Sequence, residues 1–217
     1  MSAENRSYSL ARATPLAGGP DRITGAILAG GAGRRLGGQD KGLVELAGEP
    51  MVRHVIRRLA PQVERIVVNA NRNQSAYAPM VAAVVADQLG GYQGPLAGMH
   101  AVLASSATPW VVFCPCDTPL VRDDLVAGLW AAMERAGAEA ATIDDGTRLH
   151  PVFALLPARL APSLAHALSV GDRRVEDWMR AQAPAYWRLA PSDPMLENVN
   201  NEADRTRVAA RLRGHPV

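Results

Sequence analysis

The chain has 217 residues, 48% of them apolar and 20% charged, with a net charge of only +2. This is the balance of a soluble globular protein of one domain with at most a small appendage, long enough to bury a substantial core. The arginines are scattered rather than clustered, which excludes a nucleic-acid surface, and no apolar run nears the roughly 18 residues of a membrane span.

Residues 1–22 are polar and carry Gly-Gly-Pro near their end. They lack the apolar stretch of a secretory signal, and Glu4 and Asp21 interrupt any transit-peptide pattern, so a disordered leader is expected there. The first apolar run, ITGAILAGG (23–31), is short, opens with β-branched residues and ends in glycines, as a buried strand does. Pro50 then opens MVRHVIRRLAPQV, where Met51, Val55, Ile56 and Leu59 share one helical face opposite arginines. RIVVNAN and AAVVADQ read as strands, and GPLAGMHAVLASS as a helix. WVVFCPCD is apolar almost throughout and is therefore expected at the centre of a sheet. LVRDDLVAGLWAAMERAG is helical. AEAATID and HPVFALLP read as strands, GDRRVEDWMRA as a helix and AYWRL as a short strand. NVNNEADRTRVAARL reads as a loop entering a terminal helix.

Alternating strands and helices predict an α/β protein with a mostly parallel central sheet and helices on both faces. Ligands of such sheets sit beyond the carboxyl ends of the strands. Gly30 to Lys41, Asn69 to Asn71, Asp87 and Asp117 each follow a predicted strand, so they are expected to converge on one edge. The two cysteines, Cys114 and Cys116, are too close in the chain for an unstrained bridge and have no Cys or His cluster to complete a zinc site. Buried reduced thiols of a cytoplasmic protein are expected.

A strand, a run of glycines and a helix form the layout of a phosphate-binding loop, where backbone N–H groups point at an anion. The loop is neither of two familiar kinds. Gly31-Ala32-Gly33-Arg34-Arg35 is followed by Leu36, against a dinucleotide fingerprint, and Lys41 stands between Asp40 and Gly42, against a Walker A loop. It does carry three cations: Arg34, Arg35 and Lys41. Lys41 is the sole lysine of a chain that otherwise uses arginine. Lysine is a compact point charge on a flexible stem, suited to a narrow slot between phosphates. Asp117 suits two roles equally well on local sequence: a Mg²⁺ ligand at the sheet edge or an N-cap for the next helix. Asp87 shares that ambiguity. Asn69 and Asn71 are candidates for base or ribose contacts, or for an Asx turn.

In order along the chain stand LAGGAGRRLGGQDKGL, VVNAN, Asp87, GPLAGM, FCPCDTP, HPVFAL, GDRRV and NVN. With these motifs the chain resembles the molybdenum cofactor guanylyltransferases, or molybdopterin-guanine dinucleotide synthases, from about Thr24 to the terminal helix. The glycine loop with Asp-Lys-Gly marks the wider nucleotidyltransferase superfamily; GPLAGM, CPCDTP and the late NVN are more specific to this branch. The resemblance implies a Rossmann-like three-layer sandwich of the nucleotide-diphospho-sugar transferase type. It implies one domain over residues 23–217, with a nucleotide-binding half (23–120) and an acceptor-binding half (121–217). The implied reaction moves GMP from GTP to the terminal phosphate of molybdenum-molybdopterin, with Mg²⁺, and releases pyrophosphate. It also implies dealings with proteins that carry molybdopterin or receive the finished cofactor.

Carried over by position, Leu28, Ala29, Gly30 and Gly31 would line the nucleotide, Lys41 and Arg34 would meet phosphates, and Asn69 and Asp87 would help hold the nucleoside. Asp117 would bind both metal and nucleotide. Arg35, Gly38, Arg173, Arg174, Asn198 and Asn200 are the candidates for the pterin side. Two residues depart from the family pattern: Leu36 where methionine is common, and Asn201 where threonine often follows NVN.

The chemistry agrees with a site that lacks a His–Asp pair or a nucleophilic serine. A phosphate monoester has a second pKa of about 6, so the nucleophile is already ionised near neutrality. Transfer then depends on alignment and charge neutralisation. His54 and His100 fall within helix patterns and read as structural; His150, before Pro151, is a candidate substrate contact. Guanine selection would need carbonyl acceptors, with Leu28 and the Gly90-Gly91 turn as sources. Two other readings remain at this point: a nucleotidyltransferase for another phosphate or nucleotide, such as cytidylyl or sugar-phosphate transfer, and a nucleotide-binding protein without catalysis.

Overall fold

A computed structural model of the chain describes residues 22–30, 39–88 and 94–214. Strand β1 (Ile23–Leu28) leads to a short 3₁₀ turn at Lys41–Leu43 and a small hairpin of β2 (Glu45–Leu46) and β3 (Glu49–Pro50). Helix α1 (Met51–Leu59), β4 (Arg65–Asn69), α2 (Gln74–Tyr77), β5 (Ala83–Val85) and α3 (Pro95–Ser105) follow. Then come β6 (Trp110–Pro115), α4 (Leu125–Ala136), β7 (Ala141–Asp144), β8 (Leu149–Pro157) and α5 (Ala161–Ser169). The chain ends with α6 (Val175–Ala181), β9 (Ala185–Arg188) and α7 (Glu202–Leu212).

Seven strands form one sheet in the order β5-β4-β1-β6-β8-β7-β9. β1 pairs in parallel with both β4 and β6, β4 with β5, and β7 with β9; β8 runs against both its neighbours. β6 stands in the middle, as its unbroken apolar character requires. Side chains alternate between the two faces with the period of two that a strand imposes. Ile23 and Ile27 of β1 and Val112 and Cys114 of β6 pack with α1 and α4 on one side. Ala26 of β1 and Val111 and Phe113 of β6 pack with α3, α5 and α6 on the other. A smaller cluster seats Val208 and Ala209 of α7 against Leu46, Met51 and Val199. Cys114 and Cys116 are buried free thiols, and burial above all raises both thiols from their ordinary range.

Four details depart from the sequence expectation, the first being that the helix read over 120–137 begins only at Leu125, with Asp124 as its N-cap. The predicted helix at 171–181 begins only at Val175, because Gly171 takes a φ of +89° and the Asp172 carboxylate accepts the Arg174 N–H at 3.0 Å, making a turn. Helix α5, the β2–β3 hairpin and α2 have no counterpart in the sequence reading; the last two are too short to show a period. On α1, His54 is buried and Ile56 only half-buried, since the His54 ring bonds the Leu46 carbonyl through Nε2 at 2.8 Å and joins the helix to the hairpin.

Phe113 is fully buried between the sheet and α3. Phe113→Ala is expected to lower the unfolding free energy by about 3–5 kcal/mol, read by urea denaturation.

Candidate active site

The connection order places β4 on one side of β1 and β6 on the other. That reversal opens a crevice at the carboxyl ends of these strands, where ligands of open α/β sheets bind. Two clusters of side chains stand there.

The first gathers residues from three distant parts of the chain. The Lys41 Nζ donates to Asp117 Oδ2 at 2.5 Å and to Asn200 Oδ1 at 2.7 Å. Asp117 lies just past β6, where the Cys116 N–H still donates to the Leu28 carbonyl at 3.1 Å and so continues the β1–β6 pairing. It is not a helix cap: the N-cap of α4 is Asp124, seven residues on. Asn200 is brought in because the Val199 N–H donates to the Asp117 carbonyl at 2.9 Å. The Asn200 N–H donates to Asp204 Oδ2 at 3.0 Å, and Asn201 caps α7 by accepting the Asp204 N–H at 2.9 Å. Asparagine therefore does at 201 what threonine would do, since both are N-cap residues. The Lys41 and Asp117 side chains keep 22% and 15% of their surface open to solvent, enough to meet a ligand.

Lys41 is aimed by its neighbours. Asp40, buried, caps the 3₁₀ turn by accepting the Gly42 N–H at 3.2 Å. The same carboxylate accepts the Tyr77 hydroxyl at 2.5 Å and the Asn73 amide at 3.1 Å. Burial first, then the bond to Asp40, holds the Tyr77 phenol protonated well above its usual range. A Cβ on Gly42 would lie 2.5 Å from the Tyr77 oxygen, so the tyrosine ring requires glycine there. The Asp-Lys-Gly motif thus has a physical reading: anchor, cation, and room for the tyrosine that holds the anchor.

The second cluster closes over Asp87. Asn69 donates to Asp87 Oδ1 at 2.8 Å and to the Val85 carbonyl at 3.0 Å. Asn71 donates to Asp87 Oδ2 at 2.7 Å and accepts the Asp87 N–H at 2.8 Å. A Cβ on Gly30 would lie 3.1 Å from the Asn69 side-chain oxygen, and one on Gly98 would overlap that oxygen outright. Asn69 is thus the post against which β1, β5 and α3 meet, and its amide is committed to Asp87. Among the described residues, then, Lys41, Asp117 and Asn200 come together, as do Gly30, Asn69 and Asp87. Leu28 and Ala29 lie beside both groups, the Ala29 N–H donating to the Asn69 carbonyl at 2.9 Å.

The other described candidates make contacts of their own or face solvent. Arg173 donates to the Leu168 and Asp172 carbonyls at 2.9 and 2.7 Å and so caps the end of α5. Arg174 pairs with Asp177 at 2.6 Å. Asn198 is exposed. Gly31, Arg34, Arg35, Leu36, Gly38 and the Gly90-Gly91 turn lie outside the described residues. The sequence reading did not single out Tyr77. Tyr77 is 37 residues from Asp40, and a lone buried tyrosine carries no motif.

A mobile-stemmed cation beside a carboxylate and an amide oxygen, at the switch point of an α/β sheet, is suited to handling phosphates. Residues 25–185 match the model of the MobA-like NTP transferase domain. The chain belongs to that family. It is 41% identical over 191 residues to a molybdenum cofactor guanylyltransferase from Shewanella sp. (strain MR-4), covering 88% of this chain and 97% of that protein. It is 43% identical over 182 residues to the Yersinia pestis (strain Pestoides F) protein of the same name, covering 84% and 92%. The fold matches the crystal structure of molybdopterin-guanine dinucleotide biosynthesis protein A from Archaeoglobus fulgidus with a TM-score of 0.70 at 23% identity, over 88% of this chain and 98% of that one. Like the guanylyltransferases of its family, the chain is a nucleotidyltransferase enzyme with the three-layer α/β fold the motifs imply.

The Tyr77 contact makes a double-mutant test. Tyr77→Phe removes a donor from a buried carboxylate and is expected to destabilise the fold by about 1–3 kcal/mol. Gly42→Ala should cost less when combined with Tyr77→Phe than in the parent, because the oxygen it strikes is gone. Urea unfolding of the four proteins reads the coupling.

Proposed function

We propose that this chain transfers GMP from GTP to the terminal phosphate of molybdenum-molybdopterin and releases pyrophosphate. The single observation that carries the reading is the meeting of Lys41, Asp117 and Asn200, from three separate motifs of the guanylyltransferase pattern, at the carboxyl edge of β1 and β6. The homologues' shared name supplies the substrates, and their identity over most of both chains favours this reading over cytidylyl or sugar-phosphate transfer.

Residues 23–120 supply the nucleotide side and 121–217 the acceptor side of one domain in this reading. Lys41 sets a point charge against the phosphates of GTP and the leaving pyrophosphate. Asp87, gripped on both oxygens by Asn69 and Asn71, is a fixed carboxylate for the nucleoside. Leu28, Ala29 and Gly30 border it; Gly31 and Arg34, outside the described residues, are assigned in this reading to the nucleotide and its phosphates. On the acceptor side, Arg35, Gly38, Arg173, Arg174 and Asn198 remain candidates, while Asn200 reaches the phosphates through its bond to Lys41. The attacking acceptor phosphate is largely ionised at neutral pH, so no side chain must remove a proton. Holding both phosphates in line and excluding competing water is the work left to the protein.

Mg²⁺ is the expected metal. Among the described residues no three His, Cys, Asp or Glu side chains cluster to form an all-protein cage. Magnesium does not need one, since it takes one or two carboxylates and completes its shell with phosphate oxygens and water. Asp117 is such a carboxylate: Oδ2 accepts from Lys41, while Oδ1 takes no hydrogen bond among the described residues, so the residue fits. Bound there, the metal would polarise the α-phosphate and template both substrates.

The test is pyrophosphate release with each of the four NTPs and Mg²⁺, with and without molybdenum-molybdopterin. Release with GTP alone, and only with the pterin present, is the expected result. Release with CTP, or with a sugar phosphate as acceptor, would move the chain to another substrate class. GTP binding with no release from any pair would favour a binding protein. Asp117→Asn is expected to abolish the Mg²⁺ dependence of GTP binding as well as turnover.

A further inference from the structure

The acceptor half presents one further side chain to the same edge. β8 neighbours β6 and runs opposite to it, so the turn before β8 emerges where β6 ends. Neighbouring strands lie about 4.8 Å apart, so His150, on the strand beside β6, opens on the same sheet edge as Asp117, with Asp145 at the end of β7 one strand farther out. The turn carries Asp145 and leads directly into His150.

Three features single out this pair. First, the β7–β8 register shifts between Thr142 and Ile143: Thr142 faces Ala154, but Ile143 faces His150. The buried Thr142 hydroxyl lies 2.9 Å from the Phe153 carbonyl and 3.2 Å from that of His150, and so holds the irregularity. Such bulges re-aim a side chain and are common beside active sites. Second, Asp145 is buried and divides its two oxygens. Oδ1 takes all the bonds that the turn needs, from the Thr147 N–H at 2.8 Å, the Thr147 hydroxyl at 2.6 Å and the Arg148 N–H at 2.8 Å. Oδ2 takes His150 Nε2 at 2.8 Å, with the Arg148 guanidinium farther off at 3.9 Å. The Thr147 bond first, and then the His150 bond, keeps the Asp145 carboxyl well below its ordinary range. Third, the pair is tucked in but reachable, His150 retaining 10% side-chain exposure. A ring fixed through Nε2 offers Nδ1 to a ligand, the arrangement in which a carboxylate sets the working nitrogen of a histidine.

We propose that His150 contacts the phosphate of the acceptor through Nδ1, with Asp145 as the residue that positions it. The proposal rests on the guanylyl-transfer reading for the identity of the acceptor. In this contact both ring nitrogens carry hydrogen, Nε2–H donating to Asp145 Oδ2 and Nδ1–H to an ionised phosphate oxygen, and no bond to phosphorus is made or broken by the ring. His150 thereby helps hold the nucleophile in line with the α-phosphate, complementing Lys41 on the leaving group.

Two amide variants separate this role from a purely structural one. In His150→Gln the amide nitrogen takes the place of Nε2, so the bond to Asp145 survives while nothing replaces Nδ1. His150→Asn does the reverse. If His150 only satisfied Asp145, glutamine would restore full function. The proposal expects His150→Gln to bind molybdenum-molybdopterin about tenfold more weakly, the size of one charge-assisted hydrogen bond, with GTP affinity within about twofold of the parent. Acceptor binding by His150→Gln equal to the parent's would overturn it. A second measurement needs no variant: in ¹⁵N-histidine-labelled parent protein, adding the acceptor without GTP should shift the His150 Nδ1 resonance, and an unmoved resonance at saturation would overturn the proposal. Pyrophosphate release by the parent is measured alongside. A parent that binds the acceptor yet transfers no GMP fails the guanylyl-transfer reading while the resonance still decides His150; a parent that does not bind the acceptor overturns both.

Discussion

The ion pair between Lys41 and Asp117 holds the account together. It joins the segment after β1 to the segment after β6, 76 residues apart, and Asn200 joins it from 159 residues beyond Lys41. Pairs this close are stable only where the surrounding fold supports each partner, since ordering two side chains and removing them from water both oppose the contact. Each partner here is supported from behind. Asp40 and Tyr77 fix the backbone on which Lys41 stands, the β1–β6 pairing fixes Asp117, and the α7 cap fixes Asn200. The cation is thus placed in advance by contacts from separate parts of the chain.

Much of this was legible in the sequence because strand ends leave a clear local mark. The apolar run of β6, followed at once by Asp117, announced a central strand with a polar residue at its carboxyl end. The lone Lys41 in a glycine-rich segment marked a cation for the same edge, where it meets Asp117 and Asn200. Parallel sheets then bring such ends together whatever their separation in the chain. What was not legible depends on tertiary pairing. The antiparallel course of β8 has no signature in HPVFALLP, because a buried strand reads alike in either direction. The tie from Tyr77 to Asp40, the register shift opposite His150 and the withdrawal of Arg173 to the end of α5 are contacts between segments whose local patterns say nothing of one another.

The glycines illustrate the same division. Gly42 and Gly98 look interchangeable in the sequence, yet each is required by one neighbour, the Tyr77 hydroxyl and the Asn69 amide. Both neighbours are second members of the chains of contact that end at Lys41 and Asp87. The motifs Asp-Lys-Gly and GPLAGM are therefore partly packing rules. They keep room for the side chains that hold the charged groups still.

The central claim is that transfer needs a compact point charge at position 41, in a chain that uses arginine at every other cationic site outside histidine. The most direct measurement is single-turnover pyrophosphate release by Lys41→Arg, which keeps the charge but changes its shape and hydration. The account predicts a loss of about 10²-fold or more with the fold intact, the scale of a misplaced transition-state donor. Release at nearly the parent's rate would contradict it, because position 41 would then need only a positive charge.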